Sequence, residues 1–312
     1  MKTTGQIDDP PPAAKQNWKL VVSYDGTDYS GWQVQPGERT IQGELQAALG
    51  RVTGESPLPQ GSGRTDAGVH ALGQVASFEL QARIPAENLR RALNRTLPDA
   101  IRVLDARVVA PDFHARHSTV AKTYEYRVFL ERRRTGPELS DPGREGSEPE
   151  YAVACPPFLA RYVYSFPWPL DFVRLQEAAA AFVGMHDFVS FAATDPDLAH
   201  RTAEGAPGHR HGTVRTIFAS AWEQRRVEEG MLLVYRVRGN GFLHHMVRNL
   251  VGTLLDVGRG YRDAAEIPGM LAARSRAAAG PTAPARGLFL HSVEYGPDGD
   301  SGSPPEPDRE FG

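Results

Sequence analysis

Asp66 is the first residue in the chain whose setting suggests chemistry. It lies two residues after Arg64, between Gly63 and Gly68, in the stretch GSGRTDAGVH. An ionised carboxylate can act as a nucleophile or as a base, and flanking glycines let a ligand backbone approach it closely. The same residue types also make an ordinary tight turn, because aspartate bonds to nearby amides and glycine supplies backbone freedom. The stretch by itself leaves both interpretations open.

A second charged residue lies in a setting that requires a partner. Arg248 belongs to the segment FLHHMVRNLVGTLLDVG (242–258), which predicts a helix with an apolar stripe. Arg248 lies among apolar residues of that helix, and His244, four residues earlier, shares its face. A partly buried guanidinium needs an opposite charge. We expect a carboxylate in the glycine loop to provide it.

An aromatic pair on a predicted strand could serve the same site. Tyr124 and Tyr126 lie on one face of the segment KTYEYRVFL. Ordinary sheet packing explains such a pair. Beside a cleft, however, an aromatic ring could stack a displaced nucleic-acid base.

Composition limits the kinds of protein to which these residues can belong. The 312 residues carry a formal net charge of -3, and only four of the 35 basic residues are lysine. Arginine suits phosphate and stacked bases, although an arginine-rich genome explains the excess equally well. The charge therefore permits RNA as a partner without requiring it.

Missing motifs exclude several chemistries. The chain has no glycine-rich phosphate loop, no HExxH or GxSxG, and a single cysteine, Cys155. If the protein is an enzyme, we expect it to need no metal, nucleotide or redox cofactor. No apolar run is long enough to span a membrane and the N-terminus has no signal-peptide core, so a cytoplasmic location is predicted.

The elements that must position these residues fall into two halves. Residues 1–17 read as a disordered leader and 297–312 as a disordered acidic tail. The first half, 18–117, and the second, 118–296, each show strand–helix–strand twice. The second half also holds polar loops at 131–150 and 193–212. This order predicts an α+β fold of two ferredoxin-like halves, with an antiparallel or mixed sheet and a central cleft.

Several long motifs, in this order, resemble the tRNA pseudouridine synthase A (TruA) family. They are YDGTDYSGWQVQ, TIQGELQAAL, GRTDAGVHALGQVASF, FHAR followed by AKTYEYRV, GNGFLHHMVRNLVG and AGPTAPARGLFLHSVEY. The resemblance covers nearly everything from Trp18 to Tyr295. The connector from about Glu131 to Pro169 and the loop at 193–212 are longer than is usual for the family.

The resemblance assigns roles to four residues. Asp66 matches the catalytic aspartate, Arg248 its basic partner and Tyr124 the active-site tyrosine. Arg64 would extrude the target base or support the loop. The implied reaction detaches uracil from its ribose, turns it and reattaches it through C5. That reaction imports no group and oxidises nothing.

The resemblance also implies a substrate and an assembly. The substrate would be tRNA, modified in its anticodon stem-loop at tRNA positions 38 to 40, and the assembly a homodimer. Two alternatives stay open: a non-catalytic RNA-binding protein of the same fold, and the same reaction on another RNA. Whether Asp66 attacks the nucleotide or removes the C2′ proton also stays open.

Overall fold

The computed structural model describes residues 14–130, 154–193, 212–227 and 230–296. The predicted tail, most of the predicted leader and nearly all of the two predicted polar loops lie outside these ranges. The boundary that the sequence suggests between the halves, at residues 117 and 118, stays a prediction. Among the described residues, no helix has both the length and the apolar character needed to cross a membrane.

The first half consists of four strands and two helices within the described residues. In chain order they are β1 (Gln16–Tyr24), α1 (Ile41–Thr53), β2 (Gln60–Gly61), β3 (His70–Leu80), α2 (Ala86–Thr96) and β4 (Ile101–Val108). As predicted, the Thr40 side chain caps α1 by accepting a hydrogen bond from the Gly43 amide. The buried face of α1 includes the predicted Ile41 and Leu45. The two-residue strand β2 is too short for the sequence pattern to reveal.

The second half adds six strands and four helices in its described part. They are β5 (Thr119–Leu130), α3 (Pro157–Ala160), β6 (Tyr164–Phe166), α4 (Phe172–Ala180), β7 (Gly184–Asp187), β8 (Val214–Val227), β9 (Gly230–Gly239), α5 (Met246–Gly258), α6 (Ile267–Ala272) and β10 (Leu288–Tyr295). The sequence placed the start of α5 at Phe242, which is wrong. His245 has a left-handed backbone with φ of 57°, so the helix begins only after it.

The ten strands form one sheet. The long path runs β4-β1-β3-β10-β5-β9-β8-β7, with β2 beside β3 and β6 beside β5. Each half therefore has the ferredoxin-like order, β4-β1-β3-β2 in the first and β10-β5-β9-β8 in the second. The halves join where β3 and β10 pair in parallel, with His70 opposite Phe289 and Ala71 opposite Leu290. The rest of the long path pairs antiparallel.

A single large core connects the halves. Buried side chains of the first half, such as Trp18 and Leu45, belong to the same cluster as Tyr126 and Leu250 of the second. Helix α5 is buried along most of its length. At Gly252 a side chain is impossible, because a Cβ there would lie 1.7 Å from the Pro281 carbonyl oxygen. The segment that precedes β10 therefore crosses α5 closely at Gly252.

Candidate active site

The loop that carries Asp66 connects β2 to β3 and is held through its backbone. The Trp32 amide donates to the Thr65 carbonyl over 3.0 Å, and the Gly68 amide donates to the Tyr29 carbonyl over 3.3 Å. The Val69 amide closes a turn by donating to the Asp66 carbonyl over 3.1 Å. Gly68 has φ of 75°, a conformation that favours glycine. The stretch is thus a turn, as its composition allows, and the turn leaves the Asp66 side chain 23% exposed.

Arg248 reaches Asp66 from the first turn of α5. Its Nη1 lies 3.2 Å from Asp66 Oδ2 and donates a hydrogen bond to it. Its Nε donates to the Ala283 carbonyl over 2.7 Å, and the Ala283 amide donates to the Arg248 carbonyl over 3.0 Å. The Arg248 side chain is only 16% exposed, as the sequence suggested for a cation in need of a partner. The predicted ion pair is present, and it joins the two halves.

Two histidines also surround the Asp66 carboxylate. His245 Nε2 lies 3.2 Å from Oδ2, and His244 Nε2 lies 3.5 Å from Oδ1. Burial lowers the pKa of His245, although Asp66 opposes that effect. The predicted helical face shared by His244 and Arg248 is wrong, since both histidines precede α5. Sequence reasoning assigned no role to His245, whose only signal is its position beside His244 in the motif.

The same three side chains have the donor types of a metal site. Ligand atoms of Asp66, His244 and His245 all lie within 4.8 Å of one another. Imidazole and carboxylate donors suit several divalent metals. However, Arg248 already places a guanidinium 3.2 Å from the carboxylate, where a second cation would be repelled. We therefore interpret the cluster as the Asp66–Arg248 ion pair with two imidazole rings beside it.

Tyr124 lies behind the Asp66 loop. It is 8% exposed, and its ring and the Phe242 ring form a T-shaped pair with centroids 4.9 Å apart. Burial, with smaller contributions from Tyr24 and Asp66, raises the pKa of Tyr124, so its hydroxyl stays protonated. Tyr126, on the same face of β5, is fully buried and donates to the Pro284 carbonyl over 2.8 Å. Of the two tyrosines, only Tyr124 has a pKa that the Asp66 charge affects.

Two basic residues flank the loop. Arg64 is exposed, two residues before Asp66. Lys122 donates from Nζ to the Ser62 carbonyl at the start of the loop. Burial, together with the charges of Arg116 and Arg215, lowers the pKa of Lys122 to about 8. The sequence did not single out Lys122, since lone lysines on strands carry no recognisable signal.

Comparison with known families identifies what this arrangement belongs to. The family model described as tRNA pseudouridine synthase matches residues 20–118 and 178–296, which include Asp66 and Arg248. The chain belongs to the tRNA pseudouridine synthase family. Similar proteins include the tRNA pseudouridine synthase A of Solibacter usitatus, 49% identical over 278 residues, with 89% of this chain and 98% of that protein covered.

Two further relatives carry the same name. The tRNA pseudouridine synthase A of Moorella thermoacetica is 43% identical over 280 residues, covering 89% of this chain and 98% of the relative. That of Bacillus pumilus is 42% identical over 279 residues, with the same two coverages. This member of the tRNA pseudouridine synthase family is therefore similar to these relatives over nearly their whole length.

Proposed function

We propose that this chain isomerises uridine to pseudouridine in the anticodon stem-loop of tRNA, with Asp66 as its catalytic residue. The Asp66–Arg248 ion pair is the observation that carries the proposal. It holds a carboxylate at the meeting point of the two halves, in a chain whose family and relatives are named for this activity. The reaction needs no added oxidant, reductant or group donor.

The reaction breaks one bond to the ribose and forms another. The bond between uracil N1 and C1′ breaks, the base turns, and a bond forms between C5 and C1′. C5 then gives up its proton and N1 takes one up, so the atoms balance. Asp66 supplies the group that starts this sequence, either by attacking the nucleotide or by removing the C2′ proton. Arg248 bonds Oδ2, whereas Oδ1 has His244 Nε2 at the longer distance of 3.5 Å.

The target base must leave its stack to reach Asp66. Flipping a base costs a few kcal/mol (roughly 2–5), which contacts with the protein must offset. We assign that task to two residues. Tyr124 would stack the displaced uracil, and the exposed Arg64 would contact the backbone or fill the space that the base leaves.

Assembly and location complete the proposal. We propose that the chain acts as a homodimer in the cytoplasm, on tRNA positions 38 to 40. A non-catalytic RNA-binding protein of the same fold is a weaker candidate, because binding alone requires no carboxylate held by a partly buried guanidinium from the other half.

Tritium release from tRNA labelled at uridine C5 tests the proposal, since the reaction frees the C5 proton. We expect release from whole tRNA and little from a matched tRNA whose anticodon stem-loop uridines are replaced by cytidine. Equal release from both tRNAs would show that the modified uridine lies outside the anticodon stem-loop. No release from any RNA, with tRNA still bound, would favour the binding protein.

A further inference from the structure

His70 is a buried histidine outside the Asp66 cluster. It is 1% exposed and lies at the first position of β3, opposite Phe289 of β10, where the two halves of the sheet join. Its ring stacks on Phe289 with centroids 4.7 Å apart and lies 5.3 Å from the Tyr162 ring. A polar ring with this burial requires hydrogen-bonding partners.

Those partners determine which nitrogen carries the proton. The Gly26 amide donates to Nδ1 over 3.2 Å, so Nδ1 accepts and the ring hydrogen lies on Nε2. Nε2 lies 3.1 Å from the Arg286 carbonyl oxygen and 3.2 Å from the Arg161 carbonyl oxygen, and it donates to this pair. The neutral ring therefore forms hydrogen bonds through both of its nitrogens.

Charged neighbours of the ring do not reverse that assignment. The Asp25 carboxylate lies 3.2 Å from Nδ1 and favours a protonated ring, while Arg127 opposes it. Burial is the larger effect and lowers the pKa of His70 below its usual value. Tyr162 donates its hydroxyl to Asp25 over 3.0 Å and so occupies the other carboxylate oxygen.

His70 contacts the backbone segments that hold both members of the Asp66–Arg248 ion pair. Along the chain, His70 directly follows the turn closed by the hydrogen bond between Asp66 and Val69. On the Nε2 side, Arg286 belongs to the short segment that contains Ala283, the residue bonded to Arg248 through both its carbonyl and its amide. The ring thus connects the backbone of the Asp66 loop to the backbone that holds Arg248.

We infer that His70 is a positioning residue, whose Nε2–H bond to the Arg286 carbonyl fixes the Asp66 loop relative to Arg248 across the β3–β10 junction. The inference rests on the proposed function, since its effect is on the reaction at Asp66. A misplacement of about 1 Å at a reacting group can cost on the order of a hundredfold in rate.

Two substitutions separate the two nitrogens of the ring. The glutamine amide reaches the place of Nε2, and the shorter asparagine amide reaches only the place of Nδ1. We expect His70→Gln to keep the bond to Arg286 and hold kcat for tritium release within about threefold of wild type. His70→Asn loses that bond, and we expect kcat to fall about tenfold to a hundredfold while KM changes little. Thermal unfolding is measured on both variants as well. If His70 had only a structural role, kcat would follow the loss of stability in both variants.

Tyr162→Phe is the matched control. It removes the hydroxyl bond to Asp25 and keeps the ring beside His70, so the inference predicts wild-type kcat. If His70→Asn does not fold, Phe289→Leu is used as the test variant instead. It removes the ring stacked on His70, so the imidazole can tilt although both of its nitrogens are still present. A lower kcat in the folded Phe289→Leu variant supports the inference, and a wild-type kcat overturns it.

Other outcomes separate this inference from the proposed function. A wild-type kcat in folded His70→Asn would overturn the inference about Nε2. Equal losses of kcat in His70→Asn and His70→Gln would overturn it too, and both results would leave the proposed function intact. An inactive wild-type chain contradicts the proposed function instead. Loss of activity confined to His70→Asn supports the inference.

Discussion

The loop that carries Asp66 and the helix that carries Arg248 meet at one ion pair but hold their side chains in different ways. The loop is fixed through backbone bonds to residues 29–32, and its Asp66 side chain remains 23% exposed. Helix α5 is fixed by packing along most of its length, and the Arg248 side chain is only 16% exposed. The first half thus presents the carboxylate that we propose as catalytic, and the second half supplies the guanidinium that pairs with it.

This comparison leads to an asymmetric expectation for substitutions. His245 and Arg248 come from the second half and lie 3.2 Å from the Asp66 carboxylate, and Tyr124 of the same half is near enough for Asp66 to affect its pKa. Changes among them should alter turnover. Changes on the exposed side of the loop should alter the binding of tRNA more than turnover.

Removing Arg248 should have the largest effect on the second-half side. Arg248→Ala leaves the Asp66 carboxylate without its guanidinium, and we expect the single-turnover rate to fall about 10²- to 10³-fold. Arg248→Lys should recover only part of this loss, because an ammonium cannot bond Asp66 and the Ala283 carbonyl in the same fork geometry. Arg259→Ala, just beyond the end of α5, is the control and should keep the wild-type single-turnover rate. Wild-type rates in Arg248→Ala would show that the pair is not needed for the reaction.

Tyr124 tests whether its ring or its hydroxyl matters. Stacking on a base contributes about 1–3 kcal/mol, so Tyr124→Leu should lower kcat/KM by roughly tenfold to a hundredfold. Tyr124→Phe keeps the ring and should remain within about threefold of wild type. An inactive, folded Tyr124→Phe would instead assign the hydroxyl to the reaction. Steady-state tritium release measures all three chains.

His245 sharpens the comparison because its backbone is strained. Its φ of 57° places the ring 3.2 Å from Asp66 Oδ2, at a cost of about 1–2 kcal/mol for a residue with a Cβ. His245→Gly relieves that strain and removes the ring. We expect the free energy of unfolding to stay constant or rise by up to about 1 kcal/mol, while the rate falls about tenfold.

His245→Ala removes the same ring but keeps the strain, which makes it the matched control. It should lose as much activity as His245→Gly and be the less stable of the two. Urea unfolding and single-turnover rates provide the two readouts. A fully active His245→Gly would mean that the strain serves no catalytic purpose.

Arg64 should show the smallest effect and one of a different kind. If it contacts phosphate, Arg64→Ala weakens tRNA binding a few-fold and lowers the salt slope of log K by about 0.7 to 1. If it helps extrude the base, kcat falls while the slope is unchanged. Binding titrations between 50 and 200 mM salt (about the range in which such slopes are measured) decide between the two. An unchanged slope with unchanged kcat would remove Arg64 from substrate contact.

The sequence predicts the long elements well and the short ones poorly. Helix α1 and strands β5 and β9 have enough periodic residues to be recognised, and they lie close to where the pattern places them. Strands β2, β6 and β7 have four residues or fewer, which is too few for alternation to appear. The parallel junction of β3 and β10 joins residues more than 200 positions apart, and no local pattern reports it.

The site shows the same division between local and long-range information. The Asp66–Arg248 pair is predictable because a buried charge requires a partner. The approach of His245 is not, because the left-handed turn before α5 uses a histidine where a glycine or asparagine would have signalled it. The bonds of His70 to Gly26 and Arg286 likewise depend on how distant segments pack.

One measurement tests the central claim most directly: the single-turnover release of tritium from saturating labelled tRNA by wild type and by Asp66→Asn. Asparagine keeps the shape of the side chain and removes its charge. We predict release by wild type and none above background for Asp66→Asn, with tRNA affinity within about threefold of wild type because binding is distributed over many phosphate contacts. Release by folded Asp66→Asn within about tenfold of the wild-type rate would contradict the account, since the reaction would then not depend on the Asp66 carboxylate.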